Sequence, residues 1–208
     1  MSSREESHWN AVYAGTAVNR VSWYRPHLER SLSYIEAARL APTDPIIDVG
    51  GGASTLVDDL LDRGYSNLTV LDLSLTALEA AQHRLGERAS TVHWIHADLL
   101  QADLEENAYG FWHDRAVFHF LTDPAARARY VDAARKALRP GGHIVVATFG
   151  PHGPEHCSGF DVVRYSPNDI HREFGDGFAG VANATEVHGT PWGSEQEFVY
   201  CYCRLPSR

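Results

Sequence analysis

The sequence predicts an α/β fold, a Rossmann-like sheet of seven mostly parallel strands with helices on both faces and an antiparallel C-terminal strand pair. Short apolar runs alternate with helical patterns through residues 45–149, and a glycine-rich turn follows the first run. Such alternation is typical of parallel strands joined by right-handed crossovers. Two later runs, at about 179–188 and 196–204, flank a short turn at 190–194 and predict the antiparallel pair.

The elements follow one another regularly along the chain. Strand-like runs precede the C-terminal pair at about residues 45–49, 68–72, 91–95, 109–114 and 142–149. Apolar residues repeat at the helical period in segments that begin at Leu28, Leu56, Leu75 and Tyr130. Ser74 and Asp123 are candidate N-caps, and Pro124 suits the first turn of the following helix.

The turn after the first strand indicates a ligand site. Asp48 ends the apolar run, and Gly50, Gly51 and Gly52 follow it. Missing side chains let the backbone approach a bound nucleotide closely. Asp72 ends the second strand, 22 residues after Gly50. This is close to the ~20-residue spacing at which a carboxylate binds ribose hydroxyls.

Acidic residues mark three successive strand ends, at Asp48, Asp72 and Asp98. The carboxyl ends of parallel strands line one crevice, so these side chains are expected to converge there. A carboxylate accepts two hydrogen bonds from a ribose diol, whereas it repels a diphosphate. Because Gly-x-Gly-x-x-Gly is absent and Asp48 sits two residues before the first glycine, the pattern favours a ligand with a ribose and a cation over NAD.

These motifs resemble the class I S-adenosylmethionine-dependent methyltransferases. The segment 48–54 looks like their first motif, Asp72 like their ribose-binding acid, and Asp98 with Leu99 like their adenine-binding pair. The segment 139–146 is similar to the Pro-Gly-Gly turn that leads into their fifth strand. The resemblance covers about residues 45–150 and implies S-adenosyl-L-methionine as the cofactor, with Leu73 beside it.

The N-terminal segment, residues 1–26, is predicted to be a lid over the cofactor. Trp9 and Tyr13 are four residues apart and share one helical face, and Trp23 follows. Aromatic faces attract a sulfonium cation by roughly 0.5–2 kcal/mol, so all three are predicted to contact the cofactor. Packing of the segment onto the sheet is the alternative.

The exit of the fourth strand carries the candidate catalytic residues. By the resemblance, Asp114, Arg115 and His119 lie near the transferable methyl group, and Asp114 also contacts the cofactor. Arg115 would bind a carboxylate of the cofactor or the acceptor, and His119 would accept a proton. An ion pair between Asp114 and Arg115 with a buried His119 is the alternative.

A later polar region, residues 151–167, is predicted to cover the acceptor. Arg164 and Tyr165 are its candidate substrate-binding residues, and together with Trp9 and Tyr13 they resemble a bacterial small-molecule methyltransferase subgroup. His152, His156 and Cys157 lack a second pair of ligands, so no metal is predicted. The three cysteines, an odd number, are expected to stay reduced.

Composition limits the remaining possibilities. With 208 residues, 44% hydrophobic and 22% charged, the chain is predicted to be one domain spanning 1–208. A net charge of −9 without a basic run argues against nucleic acid as a partner. No apolar stretch approaches ~20 residues and the start lacks a secretory pattern, so a cytoplasmic protein without membrane contact is expected, its oligomeric state open.

The sequence therefore predicts a methyltransferase that transfers a methyl group from S-adenosyl-L-methionine to a small anionic acceptor. Three alternatives stay open. They are a protein-lysine methyltransferase, an NAD-dependent oxidoreductase and a cofactor-binding regulator without turnover.

Overall fold

A seven-stranded sheet forms the centre of the computed structural model, which describes residues 3–207. The strands of the chain are β1 Ile46–Val49, β2 Leu68–Asp72, β3 Val92–His96, β4 Tyr109–Arg115, β5 Leu138–Phe149, β6 His156–Cys157, β7 Phe160–Asp161, β8 Ala179–Gly189 and β9 Glu195–Arg204. The sheet order is β3-β2-β1-β4-β5-β9-β8, and β6 with β7 forms a separate small hairpin.

The pairing confirms the predicted fold class. Strands β1 to β5 are paired in parallel, and β9 runs antiparallel to both β5 and β8. The turn between β8 and β9 is closed by a hydrogen bond of 2.8 Å from the Thr190 N–H to the Ser194 carbonyl oxygen. Residues 1, 2 and 208, which belong to the predicted lid and domain ranges, lie outside the described residues.

The sheet is flanked by helices. They are α1 Ser3–Gly15, α2 Glu29–Ala37, α3 Leu56–Asp62, α4 Leu75–Leu85, α5 Pro124–Ala137 and α6 Pro167–Phe174. Both predicted caps are present, since the Ser74 hydroxyl accepts from the Ala77 N–H and the Asp123 carboxylate accepts from the Ala125 N–H. The sequence reading did not include α6, which begins at a capping box formed by Ser166 and Asp169.

The core lies on both faces of the sheet. Phe111 and Trp112 are neighbours on β4 and both are fully buried. Phe111 belongs to the apolar cluster on the side of α2, α3 and α4, whereas Trp112 belongs to the cluster on the side of α5 and α6. Because side chains alternate along a strand, a central strand covered on both faces is apolar at successive positions.

The strand order places a crevice beside β1. The order runs outward from β1 to β2 and β3 on one side and to β4 and β5 on the other, so the crossovers leave a gap at the carboxyl ends of β1 and β4. Helix α1 lies near this edge, where the Asn10 side-chain oxygen accepts from the Ser74 hydroxyl at 2.8 Å and the Thr76 N–H at 3.2 Å. Among residues 3–207, no helix has the length and apolar character needed to cross a membrane.

Candidate functional site

A cavity opens at the carboxyl ends of β1, β2 and β4, beneath the N-terminal segment. Its lining is mostly apolar and aromatic, and Asp72 and Arg115 supply its carboxylate and its guanidinium. The lining residues are Trp9, Tyr13, Trp23, Val49, Gly50, Leu71, Asp72, Leu73, Ala97, Leu99, Arg115, Ala116, Val117, Phe120, Phe149 and Cys157. The structure thus brings together eight of the predicted site residues, namely Trp9, Tyr13, Trp23, Gly50, Asp72, Leu73, Leu99 and Arg115.

The glycine turn keeps part of the cavity free of side chains. Gly50 and Gly52 have φ angles of 66° and 40°, a conformation that L side chains rarely adopt. A Cβ atom on Gly51 would lie 2.5 Å from Asp48 Oδ2, and one on Gly52 would lie 2.7 Å from Asp72 Oδ2. Only glycine fits at these two positions without moving a carboxylate, so the turn packs directly on Asp48 and Asp72, and Gly50 lines the cavity.

Asp48 lies beneath this turn in a buried hydrogen-bond network. Its Oδ1 is 2.7 Å from His113 Nδ1, and His113 Nε2 is 2.8 Å from Ser31 Oγ. The parallel pairing of β1 and β4 sets Asp48 directly opposite His113. The order of the three groups is that of a hydrolase triad, but Ser31 is fully buried and cannot meet a substrate. The network therefore holds the Asp48 carboxylate under the glycine turn.

Asp72 is the acidic group of the cavity. Its Oδ1 accepts a hydrogen bond of 2.7 Å from the Ser74 N–H. Burial raises the pKa of Asp72 to about 7, the Ser74 hydrogen bond opposes this rise, and the nearby Asp48 carboxylate adds to it. Near neutral pH, Asp72 is therefore protonated in a fraction of the free protein molecules. Hydrogen-bond donors from a bound diol would favour release of this proton.

The third acidic strand end is arranged differently. Asp98 Oδ1 accepts from the Leu100 N–H at 3.0 Å, and its Oδ2 accepts from Gln101 Nε2 at 2.6 Å. Its neighbours Ala97 and Leu99 contribute to the cavity lining. The Asp98 side chain thus shapes the turn after β3, and the turn presents Ala97 and Leu99 to the cavity.

Arg115 reaches the cavity without a carboxylate partner. Its Nη1 donates to the Trp23 carbonyl oxygen at 3.1 Å, and its Nε donates to the Tyr200 hydroxyl at 3.2 Å. The guanidinium carbon lies 4.1 Å from the centre of the Phe198 ring. Arg115 Nη2 is buried and has no hydrogen-bond partner among the described residues. The alternative ion pair with Asp114 is not formed.

Asp114 stabilises the turn after β4 and is not among the described residues that line the cavity. It is fully buried and accepts hydrogen bonds from the Tyr130 hydroxyl at 2.7 Å and from the N–H groups of Val117 and Phe118. Burial raises the pKa of Asp114 to about 6, and these hydrogen bonds limit the rise. The turn needs such support because Ala116 has φ 76°. This geometry does not support a catalytic or cofactor contact for Asp114, which acts as a positioning residue.

His119 is also placed away from the cavity lining. Its Nδ1 accepts a hydrogen bond of 3.2 Å from the Phe149 N–H, so the proton of the neutral ring is on Nε2. Nε2 has no partner among the described residues. Burial, together with the charge of Arg115, lowers the pKa of His119 to about 3. A buried ring with its lone pair already engaged does not fit the predicted role of a general base.

The two predicted acceptor-binding residues also lie outside the described cavity lining. Arg164 Nη2 donates to Glu155 Oε1 at 2.8 Å, and its Nη1 donates to the Gly153 carbonyl oxygen at 3.3 Å. Tyr165 is buried in the apolar core, where its ring centre lies 5.7 Å from that of Phe118. The geometry therefore does not support a role in acceptor binding for either residue.

The aromatic residues do converge at the cavity. The ring centres of Trp9 and Trp23 are 5.8 Å apart, and those of Tyr13 and Trp23 are 6.2 Å apart. Phe120, which sequence reasoning did not select, lies 5.3 Å from Trp9 in an edge-to-face contact. Phe149 and Cys157 were also not selected as binding residues. Phe149 did have a signal, its position at the end of β5, whereas Cys157 lies on the two-residue strand β6.

Known proteins are similar to this chain in sequence and in fold. Residues 46–142 match a family described as a methyltransferase domain. EEF1A lysine methyltransferase 2 of Danio rerio is 26% identical over 127 residues, which cover 58% of this chain and 54% of that protein. Malonyl-(acyl-carrier protein) O-methyltransferase of Paenibacillus sp. (strain JDR-2) is 27% identical over 130 residues, covering 60% of this chain and 46% of that protein. The chain spans about half the length of these two relatives.

A solved structure shows the same fold over nearly the whole chain. Burkholderia thailandensis 1,6-didemethyltoxoflavin-N1-methyltransferase, with bound 1,6-didemethyltoxoflavin and S-adenosylhomocysteine, has a TM-score of 0.73 and 19% sequence identity. The likeness covers 98% of this chain and 88% of that chain.

The sheet is doubly wound, and its switch point carries a glycine turn after β1 and an aspartate at the end of β2. This arrangement is typical of α/β proteins that bind a nucleoside. The matched domain narrows this class: residues 46–142 are similar to a methyltransferase domain, and the fold is that of a solved methyltransferase with bound S-adenosylhomocysteine. The residues present fit S-adenosylmethionine. Gly50 lines the cavity without a side chain, and Asp72 offers a carboxylate to a diol.

Proposed function

We propose that this protein is an S-adenosylmethionine-dependent methyltransferase that methylates a small anionic acceptor held by Arg115. The observation that carries the anionic acceptor is the buried Nη2 of Arg115, which has no partner among the described residues and belongs to a side chain that lines the cavity. An unpaired buried donor on a charged group is costly. A carboxylate or similar anion in the cavity satisfies it through a charge-assisted hydrogen bond.

The cofactor would occupy the part of the cavity nearest β1 and β2. The backbone of Gly50–Gly52 would lie against it, Asp72 would accept from its ribose hydroxyls, and Leu73 and Leu99 would contact its base. When bound, S-adenosylmethionine supplies a methyl group already activated by the sulfonium charge. The chain then has to align the acceptor with that group and exclude water, which the aromatic lid residues do.

The ionisable groups of the cavity favour an acceptor that is already deprotonated. Burial raises the pKa of Tyr13, and burial raises the pKa of Cys157 to about 11, so both side chains keep their protons near neutral pH. No histidine occurs among the described lining residues. An anionic nucleophile, such as a carboxylate oxygen, needs no general base, so this lining suffices for its methylation.

The experiment compares two arginine variants. Arg115→Lys keeps the charge but loses the forked donor geometry. Arg164→Lys is the matched control, because Arg164 is paired with Glu155 outside the described lining. Release of S-adenosylhomocysteine is measured with a panel of small carboxylic acids, thiols and amines, and cofactor affinity is measured by calorimetry.

We expect Arg115→Lys to raise the KM for a carboxylic acid about tenfold or more while cofactor affinity stays within twofold, as lost charge-assisted hydrogen bonds predict. Arg164→Lys should leave both quantities unchanged. Loss of cofactor affinity in Arg115→Lys, with an unchanged KM, would instead assign this residue to the methionine carboxylate and contradict the anionic-acceptor proposal. Thermal melts of each variant exclude unfolding as the cause.

A second candidate, an ammonium acceptor such as a lysine side chain, is favoured by an outer hollow next to the lid. This hollow is lined by the aromatic rings of Trp9, Phe120 and Phe160 and by the carboxylates of Glu5 and Asp161. Aromatic faces and carboxylates both attract cations. One relative is named as a lysine methyltransferase. Methylation of amines or of folded proteins in the same assay, with no turnover of carboxylic acids, would select this function instead.

A further inference from the structure

A second cluster of chemically reactive side chains lies apart from the cavity. It consists of Cys201 and Cys203 on β9 and His171 on α6. The two sulfur atoms are 3.3 Å apart, and His171 Nδ1 is 3.4 Å from Cys203 Sγ. One ligand atom from each residue lies within 4.8 Å of the other two. The proposed methyl transfer uses none of these residues.

The cluster lies further back along the strands than the cavity. Cys203 pairs with Ile144 and Cys201 pairs with Val146, whereas the cavity residue Phe149 is the last residue of β5. Gly180 of β8 pairs with Cys203 on its other side. A Cβ atom on Gly180 would lie 3.3 Å from His171 Cε1, so the glycine leaves the space that the imidazole occupies over the two sulfur atoms.

We propose that His171, Cys201 and Cys203 form a binding site for a zinc ion that links α6 to β9. Thiolate and imidazole are the ligands that zinc prefers, with Zn–S of about 2.3 Å and Zn–N of about 2.0–2.1 Å. In a tetrahedral site those bond lengths separate the ligand atoms by about 3.6–3.8 Å. The observed separations of 3.3 and 3.4 Å need to widen by only a few tenths of an ångström. A water molecule would take the fourth position beside the half-buried His171.

Zinc binding replaces two protons and changes no oxidation state. The thiols of Cys201 and Cys203 each lose a proton to solvent as Zn–S bonds form, and neutral His171 donates the Nδ1 lone pair.

The strand geometry disfavours a disulfide as the use of this cysteine pair. Residues i and i+2 of a strand have Cα atoms about 6.6 Å apart, close to the upper limit of about 6.8 Å that a disulfide spans. Closing the bond would pucker β9, which is hydrogen-bonded on both sides. A metal ion instead accepts sulfur atoms that stay separated.

The test uses Cd²⁺ as a probe, since thiolate-to-cadmium charge transfer gives an ultraviolet band. Reduced, metal-free protein is titrated with CdCl₂ and then with competing ZnCl₂. We expect one Cd²⁺ per chain, displacement by Zn²⁺, and release of up to two protons. Cys203→Ser and His171→Ala should weaken cadmium binding at least tenfold, whereas Cys157→Ser, which alters the remaining cysteine, should keep the band and the stoichiometry.

His171→Ala is the decisive variant, because its half-buried side chain can be removed without opening the strand core. Circular dichroism and thermal melts check that each variant is folded. Absence of a charge-transfer band, binding that Cys157→Ser abolishes, or unchanged cadmium affinity in both Cys203→Ser and His171→Ala would overturn the proposal. Bound zinc should also raise the melting temperature of the parent protein and not that of His171→Ala.

Discussion

Asp72 gives the site a predictable dependence on pH. Its pKa is raised to about 7 by burial, so the free protein gains or loses this proton near neutrality. Only the ionised carboxylate accepts two hydrogen bonds from a ribose diol, and binding therefore favours the deprotonated form. The affinity for S-adenosylhomocysteine should therefore rise as the pH increases from 6 to 8 and level off above that range.

Calorimetry at pH 7 in two buffers of different ionisation enthalpy measures the released proton. Asp72→Asn should weaken binding by roughly 1.5–3 kcal/mol and remove the pH dependence, since a charged hydrogen-bond partner is lost. Asp62→Asn is the control, because that exposed carboxylate is paired with Arg88 on the surface. An affinity of the parent protein that is constant from pH 6 to 8 would contradict the assignment of Asp72.

At the scale of single residues, the sequence predicted the residues that line the cavity better than it predicted candidate catalytic residues. Glycines and strand-end acids can be recognised because their positions relative to strands follow from the fold. On β4 the ordinary alternation separates the buried Asp114 from Arg115, which lines the cavity. After β4 the direction of side chains cannot be read this way, since the left-handed Ala116 breaks the alternation, and His119 lies in the core.

At the scale of elements, the N-terminal segment packs on the rest of the chain through partly buried side chains. Helix α1 contains no fully buried residue, although Trp9 lines the cavity. A bound cofactor would add contacts to Trp9, Tyr13 and Trp23 and so slow the opening of this segment. We expect saturating S-adenosylhomocysteine to slow hydrogen exchange in residues 3–26 severalfold.

Helix α6 is the internal control for that measurement, since it lies on the β8 and β9 side of the sheet. Its exchange should be the same with and without the cofactor product. Trp9→Ala should reduce the protection of residues 3–26 and leave that of α6 unaltered. If saturating ligand leaves exchange in residues 3–26 unchanged, the segment is not a lid.

The elements that the sequence reading missed are short or irregular. Strands β6 and β7 have two residues each, too few for a periodic pattern. Strand β5 begins at Leu138, earlier than the predicted residue 142, because its pairing skips from Leu138 to His143 around the Pro-Gly-Gly segment. Helix α6 did have a readable signal, the Ser-Pro-x-Asp start of a capping box.

At the scale of the whole molecule, strand alternation was enough to predict the sheet. Contacts between distant elements were not predictable, because no spacing rule links α2, β1 and β4 or α6 and β9. The network of Ser31, His113 and Asp48 and the cluster of His171, Cys201 and Cys203 both arise this way. That the chain is a single domain remains a prediction.

We expect the cavity at the carboxyl ends of β1, β2 and β4 to bind S-adenosylmethionine. Calorimetric titration of the purified chain with S-adenosylmethionine, S-adenosylhomocysteine and NAD measures this binding. The variants are Gly52→Val, whose Cβ would lie 2.7 Å from Asp72 Oδ2, and Gly189→Ala, whose Cβ would meet nothing within 4 Å. We predict that one equivalent of each adenosyl ligand binds, that NAD does not, and that Gly52→Val abolishes binding while Gly189→Ala keeps it. Preferential binding of NAD, or no binding of either adenosyl ligand to the folded protein, would show that this cavity is not a site for S-adenosylmethionine.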